Sequence, residues 1–249
     1  MRKLMAIAAL TATLSNSALA SEDWQFTLSP YVWFGGSKGD LAAAPPLPAA
    51  PIDISAKDAF DDNEASYMVL FTARKGRHGL LMDFIYTDTR SDEELVPEID
   101  LKLRSISKNT IVSAAYLYRL LDDGGTNLDG FAGVRYWDID ITLQFSGGLG
   151  VLAGRRVSNT EEWVDPMVGL KGRTPLGDSN FYVAGWAALG GFGVNSDLFY
   201  DASVNVGYQW TTAIGTTVGY RMFDVDYDKD QFIYDVRQHG VALGLTWGF

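Results

Sequence analysis

Apolar and polar residues alternate with a period of two over most of the chain after residue 21. In the last segment the apolar positions are Val241, Leu243, Leu245, Trp247 and Phe249. Glycine, alanine and threonine occupy the positions between them, and residues 197–210 repeat the same alternation. This period predicts β-strands that have one apolar face and one small or polar face.

Turn-forming residues divide the chain into ten predicted strands. They cover residues 24–35, 65–75, 79–89, 105–120, 127–141, 161–175, 180–190, 197–210, 215–227 and 232–249. Most of the connections alternate between short turns and the long loops 36–64, 90–104 and 142–160. The pattern predicts an all-β, up-and-down antiparallel transmembrane β-barrel with ten strands and both termini on the periplasmic side. Eight strands remain the alternative if two weak segments are not strands.

The length of the strands bears on which way the apolar face points. A soluble sandwich would bury this face, whereas a membrane barrel turns it outward to lipid. The predicted strands run about 11–17 residues, longer than the roughly 5–6 of soluble proteins and sufficient for the roughly 9–11 that a tilted membrane strand needs. Small residues on the other face also suit a narrow lumen, so the pattern favours the membrane barrel.

Aromatic residues provide a partly independent check on this arrangement. At the predicted periplasmic ends, the outward positions carry Trp24, Phe26, Tyr118, Phe181, Tyr208, Trp210, Trp247 and Phe249. Near the opposite ends they carry Phe34, Tyr67, Tyr86, Tyr136 and Tyr200. Two such belts are typical of the two interfaces of a membrane.

The N-terminus has the features of a secretory signal peptide. Arg2 and Lys3 precede an apolar stretch, and Ala18 to Ala20 form a small-residue cleavage site. We expect residues 1–20 to be the signal peptide and residues 21–249 to be the barrel domain. Loss of Arg2 and Lys3 from the 20 basic residues leaves 18 against 31 acidic residues, a net charge of −13.

Composition excludes several classes of function. The excess of acidic residues argues against binding to nucleic acid, which requires a basic surface. The absence of cysteine excludes disulfides and thiol chemistry. The two histidines, His78 and His239, leave little room for catalysis, and no serine adjoins His239 in sequence, so we expect no enzyme and no cofactor.

At this point the sequence resembles the small porin-like outer-membrane β-barrel proteins of Gram-negative bacteria. The stretches that carry the resemblance are residues 29–33, 73–76, 133–140, 163–166 and 191–194. The terminal run from Val241 to Phe249 looks like the signal that the barrel assembly machinery recognises. The resemblance implies an outer-membrane location and contact with outer-membrane lipids, lipopolysaccharide and periplasmic chaperones. It says little about activity, and we expect no appended peptidoglycan-binding domain.

An internal repeat places charge inside the predicted barrel. Residues 133–140 match residues 219–226, and in both copies an arginine, Arg135 or Arg221, has lumenal parity. Asp83, Asp165 and Asp201 share this parity and are candidate partners, because an isolated buried charge is costly. A salt-bridged plug and a charged constriction that selects solutes are both compatible with this pattern.

Four tryptophans also have lumenal parity, namely Trp33, Trp137, Trp163 and Trp186. Four indoles would occupy much of a narrow ten-stranded barrel. We therefore expect a largely filled lumen, in a structural protein or a narrow passive pore. A ligand-binding or transport barrel that uses the Trp/Arg cluster is the alternative, and a lipid-modifying enzyme is a third.

Two further motifs lie in or beside the predicted loops. Asp224, Asp226 and Asp228 resemble part of a calcium loop, but the required glycine is replaced by Lys229, so they form only a weak metal candidate and better fit an acidic rim. Such a rim could meet lipopolysaccharide through bridging cations. Ser55 to Asp58 resembles a capping box that would begin a short helix ending near Ala65. That helix would either cover the outer mouth or belong to a solvated loop.

Overall fold

The computed structural model of the chain describes residues 23–42, 49–96, 100–147, 154–229 and 232–249. The predicted signal peptide with its cleavage site at Ala20 lies outside the described residues, as does Asp230. Within the described ranges, no helix has both the length and the apolar character required to cross a membrane.

The described residues form one antiparallel sheet of ten long strands and one short strand. The strands are β1 (Gln25–Ala42), β2 (Ala50–Ile54), β3 (Asn63–Lys75), β4 (His78–Val96), β5 (Leu101–Asp123), β6 (Thr126–Ser146), β7 (Arg156–Pro175), β8 (Phe181–Gly190), β9 (Leu198–Gln209), β10 (Ile214–Lys229) and β11 (Phe232–Gly248). A helix, α1 (Ala56–Asp61), follows the short strand β2.

The sheet closes on itself because β11 pairs with β1 as well as with β10. The closing register runs from Thr27 opposite Gly248 to Ala42 opposite Ile233. Each long strand otherwise pairs with its neighbours in sequence. The prediction of a closed up-and-down barrel of ten strands is confirmed, and the eight-stranded alternative is wrong.

The two ends of the barrel differ. We call the end that carries Asp23, Phe249 and the short turns the turn end, and the opposite end the loop end. At the turn end, Phe26 and Phe249 exchange two backbone hydrogen bonds of 2.9 and 3.0 Å. Gly124 and Gly125 both have positive φ, at 55° and 83°, the combination that a tight two-residue hairpin requires.

Several strands extend further toward the loop end than the alternation predicted. The segments 36–64, 90–104 and 142–160 were expected to be loops, but β1, β4, β5, β6 and β7 continue into them. The physical reason lies in a reversal of the apolar face. On β6 the outward positions Val134 and Tyr136 are followed by Asp138 and Asp140, while Ile139 and Ile141 face inward and are buried.

The same reversal occurs on β10, where outward Val218 and Met222 give way to outward Asp224 and Asp226. On this strand the outward apolar positions extend from Ile214 to Met222, nine residues, which is close to the roughly 9–11 that span a bilayer. Toward the loop end the barrel therefore has a polar outside and an apolar inside.

The predicted aromatic belts form at the two borders of the outward apolar surface. At the turn end, Trp210 and Tyr208 have ring centroids 4.6 Å apart, and Trp247 and Phe249 are 4.9 Å apart. At the other border Tyr67 and Tyr86 stack 6.0 Å apart. Their placement follows from strand parity and from the register of neighbouring strands.

The helix α1 begins where the capping motif predicts. The Ser55 hydroxyl oxygen accepts the backbone N–H of Asp58 at 3.1 Å, and the hydroxyl donates to the Asp58 carboxylate at 2.7 Å. The helix ends at Asp61 rather than near Ala65, because β3 begins at Asn63. It lies beside β1, with the Phe60 and Phe34 rings 5.6 Å apart, and all its residues are at least partly exposed.

Candidate functional site

The lumen holds the densest group of buried charges in the described part of the chain. Arg135, Arg221, Asp83, Asp165 and Asp201 are all at most 4% exposed. The first two come from the repeated segments on β6 and β10, and the carboxylates come from β4, β7 and β9. All five residues are buried on the inward side of their strands. We call this group the central charge layer.

Arg221 connects three other strands through its guanidinium group. Its Nε and Nη2 donate to the two oxygens of Asp201 at 2.9 and 2.7 Å. Nη2 also reaches Asp83 at 3.0 Å, and Nη1 donates to the Tyr31 hydroxyl at 2.7 Å. The Tyr31 hydroxyl in turn donates to Asp83 at 2.9 Å. This network is nearly saturated, as a buried charge requires.

Arg135 completes the layer from the opposite wall. It donates to Asp201 at 2.8 Å and to the Ser113 hydroxyl at 2.8 Å. Its guanidinium carbon also lies 4.8 Å from the centre of the Phe199 ring. Asp201 thereby joins two arginines that come from opposite copies of the internal repeat, and Ser113 and Tyr31 are partners that the sequence analysis missed.

Asp165 behaves differently from the other two carboxylates. It stands opposite Arg135 in the register of β6 and β7, yet its carboxylate accepts hydrogen bonds from other donors: Trp137 Nε1 at 3.0 Å, Trp163 Nε1 at 3.0 Å, Ser196 N–H at 2.9 Å and Ser196 Oγ at 2.6 Å. The expectation that Asp165 pairs with an arginine is therefore wrong within the described residues. Four donors from uncharged groups take the place of the cation.

The four predicted lumenal tryptophans lie on both sides of the central charge layer. Trp137 and Trp163 are buried and stack 5.4 Å apart. Trp33 and Trp186 lie with their rings 5.2 and 4.9 Å from the guanidinium carbon of Arg221. The indoles thus cover the faces of the buried cation, an arrangement that strengthens when the cation is desolvated.

Apolar side chains pack together in the interior between the central charge layer and the loop end, beside a second cavity of about 230 Å³ that Ile111, Ile141 and Tyr234 help to line. Tyr227 stacks on Trp163 with centroids 4.0 Å apart, and Phe232, Val225 and Val236 are at most 2% exposed. These residues belong to one continuous core cluster that also includes Phe223 and Tyr234. This cluster narrows the lumen in this half, and the cavity beside it leaves part of the interior open, so that a largely filled lumen stays a prediction.

Between the central charge layer and the turns lies an open cavity of about 390 Å³. Its lining includes four basic side chains that the sequence analysis did not single out, Arg74, Arg119, Lys171 and Arg173. All four have inward parity near the turn end of their strands, a signal that was present in the sequence. The only carboxylates among the described lining residues are Asp83 and Asp129.

The acidic residues of the weak metal candidate lie on the outside of β10. Asp224, Asp226 and Asp228 occupy alternate positions of one extended strand, so they are spread along it instead of surrounding a point. Asp224 accepts a hydrogen bond from Arg237 Nε at 2.5 Å. In the described residues no group of three or more His, Cys, Asp or Glu is placed to hold a metal ion.

The two histidines make contact with tyrosine. His239 Nδ1 lies 2.6 Å from the Tyr220 hydroxyl on the outward face, and His78 Nδ1 contacts the Tyr116 hydroxyl near the turn end. The hydroxyl of Ser196 donates to Asp165 inside the lumen and makes no contact with either histidine in the described residues.

The predicted assembly signal forms the outward face of β11. Val241, Leu243, Leu245, Trp247 and Phe249 are all between 43% and 54% exposed. They sit at the seam where β11 meets β1. This placement is compatible with recognition before closure, although the recognition itself stays a prediction.

Comparisons with known proteins rest on structure. No protein-family model matches the chain, and no curated protein matches it in sequence. The outer membrane protease OmpT from Escherichia coli is similar in fold, with a TM-score of 0.58 and 11% identity, covering 94% of this chain and 99% of that chain.

Two autotransporter domains overlap less well. The transport unit of AIDA-I from Escherichia coli has a TM-score of 0.47 and 8% identity, covering 97% of this chain and 94% of that chain. The translocator domain of NalP from Neisseria meningitidis has a TM-score of 0.46 and 10% identity, covering 90% of this chain and 88% of that chain.

The overlap with OmpT and the closed register of β1 with β11 carry the assignment: the chain has the fold of the outer-membrane β-barrel proteins, in a ten-stranded form.

Proposed function

We propose that the chain is an integral protein of the Gram-negative outer membrane whose lumen is closed. The outward apolar band between two aromatic belts supports insertion into a bilayer, because amphipathic rings favour its interfaces. The N-terminal signal sequence supports export, with cleavage after Ala20. The alternating C-terminal run supports insertion by the barrel assembly machinery, with periplasmic chaperones escorting the unfolded chain.

The turn end faces the periplasm in this proposal, and the loop end faces the outside of the cell. Short turns and both termini at one end support this orientation, since outer-membrane barrels have short periplasmic turns and longer extracellular connections. The loop end would then present the acidic outer faces of β6 and β10 to lipopolysaccharide. Protease accessibility of the loop end in intact cells tests this orientation.

The observation that carries the closed lumen is the salt-bridged central charge layer with the apolar packing beyond it. Arg221, Asp201 and Arg135 meet across the barrel, and the clustered aromatic and aliphatic side chains on the loop side narrow the space beyond them. The proposed role is that of a structural, non-conducting barrel. The measurement is single-channel conductance in planar bilayers, where we expect no steady current, and a stable open pore would contradict the proposal.

We also propose that the barrel is not an enzyme, in spite of its fold similarity to a protease. The support is the environment of the histidines, whose Nδ1 atoms contact tyrosine hydroxyls instead of a carboxylate that would orient a general base. Purified protein should leave peptides and phospholipids intact. Hydrolysis that is lost in His239→Ala would overturn this part of the proposal.

A further inference from the structure

The cavity at the turn end carries an excess of positive charge inside an acidic protein. Five basic side chains and two carboxylates line it: Arg74, Arg119, Lys171, Arg173 and Arg221 against Asp83 and Asp129. The whole chain, in contrast, has a net charge of −11. A cavity of about 390 Å³ could hold roughly a dozen water volumes at about 30 Å³ each.

Part of this charge is compensated within the wall. Arg221 is neutralised by the central charge layer. Asp129 accepts Arg74 Nη2 on one oxygen and Arg119 Nε on the other, each at 2.5 Å. Asp129 is 1% exposed and is shared by these two guanidinium groups, and Arg119 also pairs with Asp122 at 2.7 Å.

The remaining cations have no such partner. Among the described residues, neither Lys171 nor Arg173 has a carboxylate oxygen within 4.0 Å. Arg173 donates to the Gln209 side chain at 2.8 Å and lies over the Tyr182 ring at 3.7 Å, and these partners are uncharged. The wall therefore presents positive charge that the protein does not itself balance.

Two buried donors in the wall also lack acceptors. Arg74 Nη1 and Trp186 Nε1 are inaccessible to solvent and have no hydrogen-bond partner within the part of the chain that is described. Unsatisfied buried donors are rare in folded proteins, because each carries a desolvation cost. Both residues line the same cavity as Lys171 and Arg173.

We propose that this cavity binds a small multivalent oxyanion, of the polyphosphate or polycarboxylate class. Such an anion has only acceptor atoms, which match the unpaired cations Lys171 and Arg173 in the wall. Guanidinium groups favour these ligands because their paired N–H groups fit two oxygens at once. The two classes share this chemistry, and the titrations below separate them.

The cavity can be reached from the turn end. It shares Gln25, Arg74 and Arg119 with a second opening among the turns, which is also lined by Arg77, Asp23 and Asp122. The central charge layer closes it on the other side. The binding site is thus a blind pocket, which goes beyond the proposed closed barrel and does not require conduction.

The first test uses the unmodified protein, folded in a non-ionic detergent. Isothermal titration with pyrophosphate and with citrate, at constant ionic strength set by sodium chloride, should give saturable binding of one anion per barrel for at least one of them. Chloride alone should give no saturable heat. Absence of saturable binding by both probes would overturn the inference, whatever the orientation or conductance of the barrel.

The second test locates the site. Lys171→Gln and Arg173→Gln should each weaken binding about tenfold or more, since each removes a charge-assisted hydrogen bond. Lys38→Gln serves as the matched control, because Lys38 forms an exposed pair with Asp53 at the loop end. Equal affinity in all three variants would place the anion elsewhere and contradict the proposal. A shift in electrophoretic mobility on heating verifies that each variant is folded.

Discussion

Arg221 shows at the scale of a single residue how the barrel is held together internally. Its guanidinium reaches Asp201 on β9, Asp83 on β4 and Tyr31 on β1, which are strands spread around the circumference. Strand parity predicted that the arginine and both aspartates point inward. Parity does not determine the side-chain torsion angles. Asp165, a candidate partner that stands opposite Arg135 in register, therefore accepts hydrogen bonds from Trp137, Trp163 and Ser196 instead of an arginine.

Removal of the Arg221 charge should be costly. In Arg221→Met, Asp83 and Asp201 would keep their burial and lose a cation, which typically costs about 3–5 kcal/mol. The free energy of unfolding in lipid vesicles, measured by urea titration, checks the value.

Arg237→Met is the matched control for this variant. Arg237 also pairs with an aspartate of the same barrel, Asp224, but its side chain is 57% exposed. An exposed pair contributes at most about 1 kcal/mol. Losses of similar size in the two variants would refute the distinction between the buried layer and the outer surface.

At the scale of the elements, the main feature is the reversal of the apolar face along β6 and β10. Alternation alone predicted the existence and order of the ten strands, because the period is the same on both sides of the reversal. It did not predict where several of them end, since β1, β4, β5, β6 and β7 continue into segments that were expected to be loops. The strand β2, which contains Pro51, was missed because its surroundings have the composition of a loop.

A lysine placed outward on β10 should therefore have opposite consequences on the two sides of the reversal. Val218→Lys puts a charge in the apolar band, where a lysine near the bilayer midplane costs about 2–4 kcal/mol. Asp228→Lys, ten residues further along the same outward face, should be neutral or favourable because it relieves a cluster of carboxylates. Urea unfolding in vesicles measures both, and a tolerated Val218→Lys would refute the band.

The acidic outer face of β10 and β11 should make stability depend on pH. Burial and the neighbouring carboxylates, Asp235 first among them, raise the pKa of Asp226 above its ordinary value of 3.8. The folded state therefore binds a proton at Asp226 more tightly than the unfolded chain does. As the pH rises from 3.8 through the raised pKa, this proton is lost, and the contribution of Asp226 to the free energy of unfolding becomes unfavourable.

Asp226→Asn removes this effect. The free energy of unfolding of the variant, minus that of the unmodified protein, should therefore increase between pH 3.8 and neutrality and then stay constant. Unfolding at a series of pH values measures the difference between the two proteins. An advantage that shrinks as the pH rises would contradict the pKa direction.

At the scale of the whole molecule, three zones follow one another along the barrel axis. A cavity lined by basic side chains opens at the turn end, the central charge layer crosses the lumen, and an apolar cluster lies beside a smaller cavity toward the loop end. The inward tryptophans followed from strand parity. The basic cavity did not, because parity does not show which inward cations, such as Lys171 and Arg173, lack a carboxylate partner.

Opening the central charge layer should change the behaviour of the whole barrel. The double variant Arg135→Ala/Arg221→Ala removes both guanidinium groups, and we expect ionic current above that of the unmodified protein in planar bilayers. An unchanged current would show that the charge layer is not what closes the lumen, and the apolar packing near Trp163 and Tyr227 would then be the barrier.

The most direct test of the account concerns the direction in which the apolar band faces. The sequence contains no cysteine, so a single nitroxide label can be attached at Val204→Cys, on a side chain that is 63% exposed in the band, and at Asp226→Cys for comparison. In lipid vesicles the label at position 204 should collide often with oxygen and rarely with a water-soluble nickel chelate, and the label at 226 should show the reverse. A label at 204 that is shielded from both reagents, or open to the chelate, would contradict a band that faces lipid.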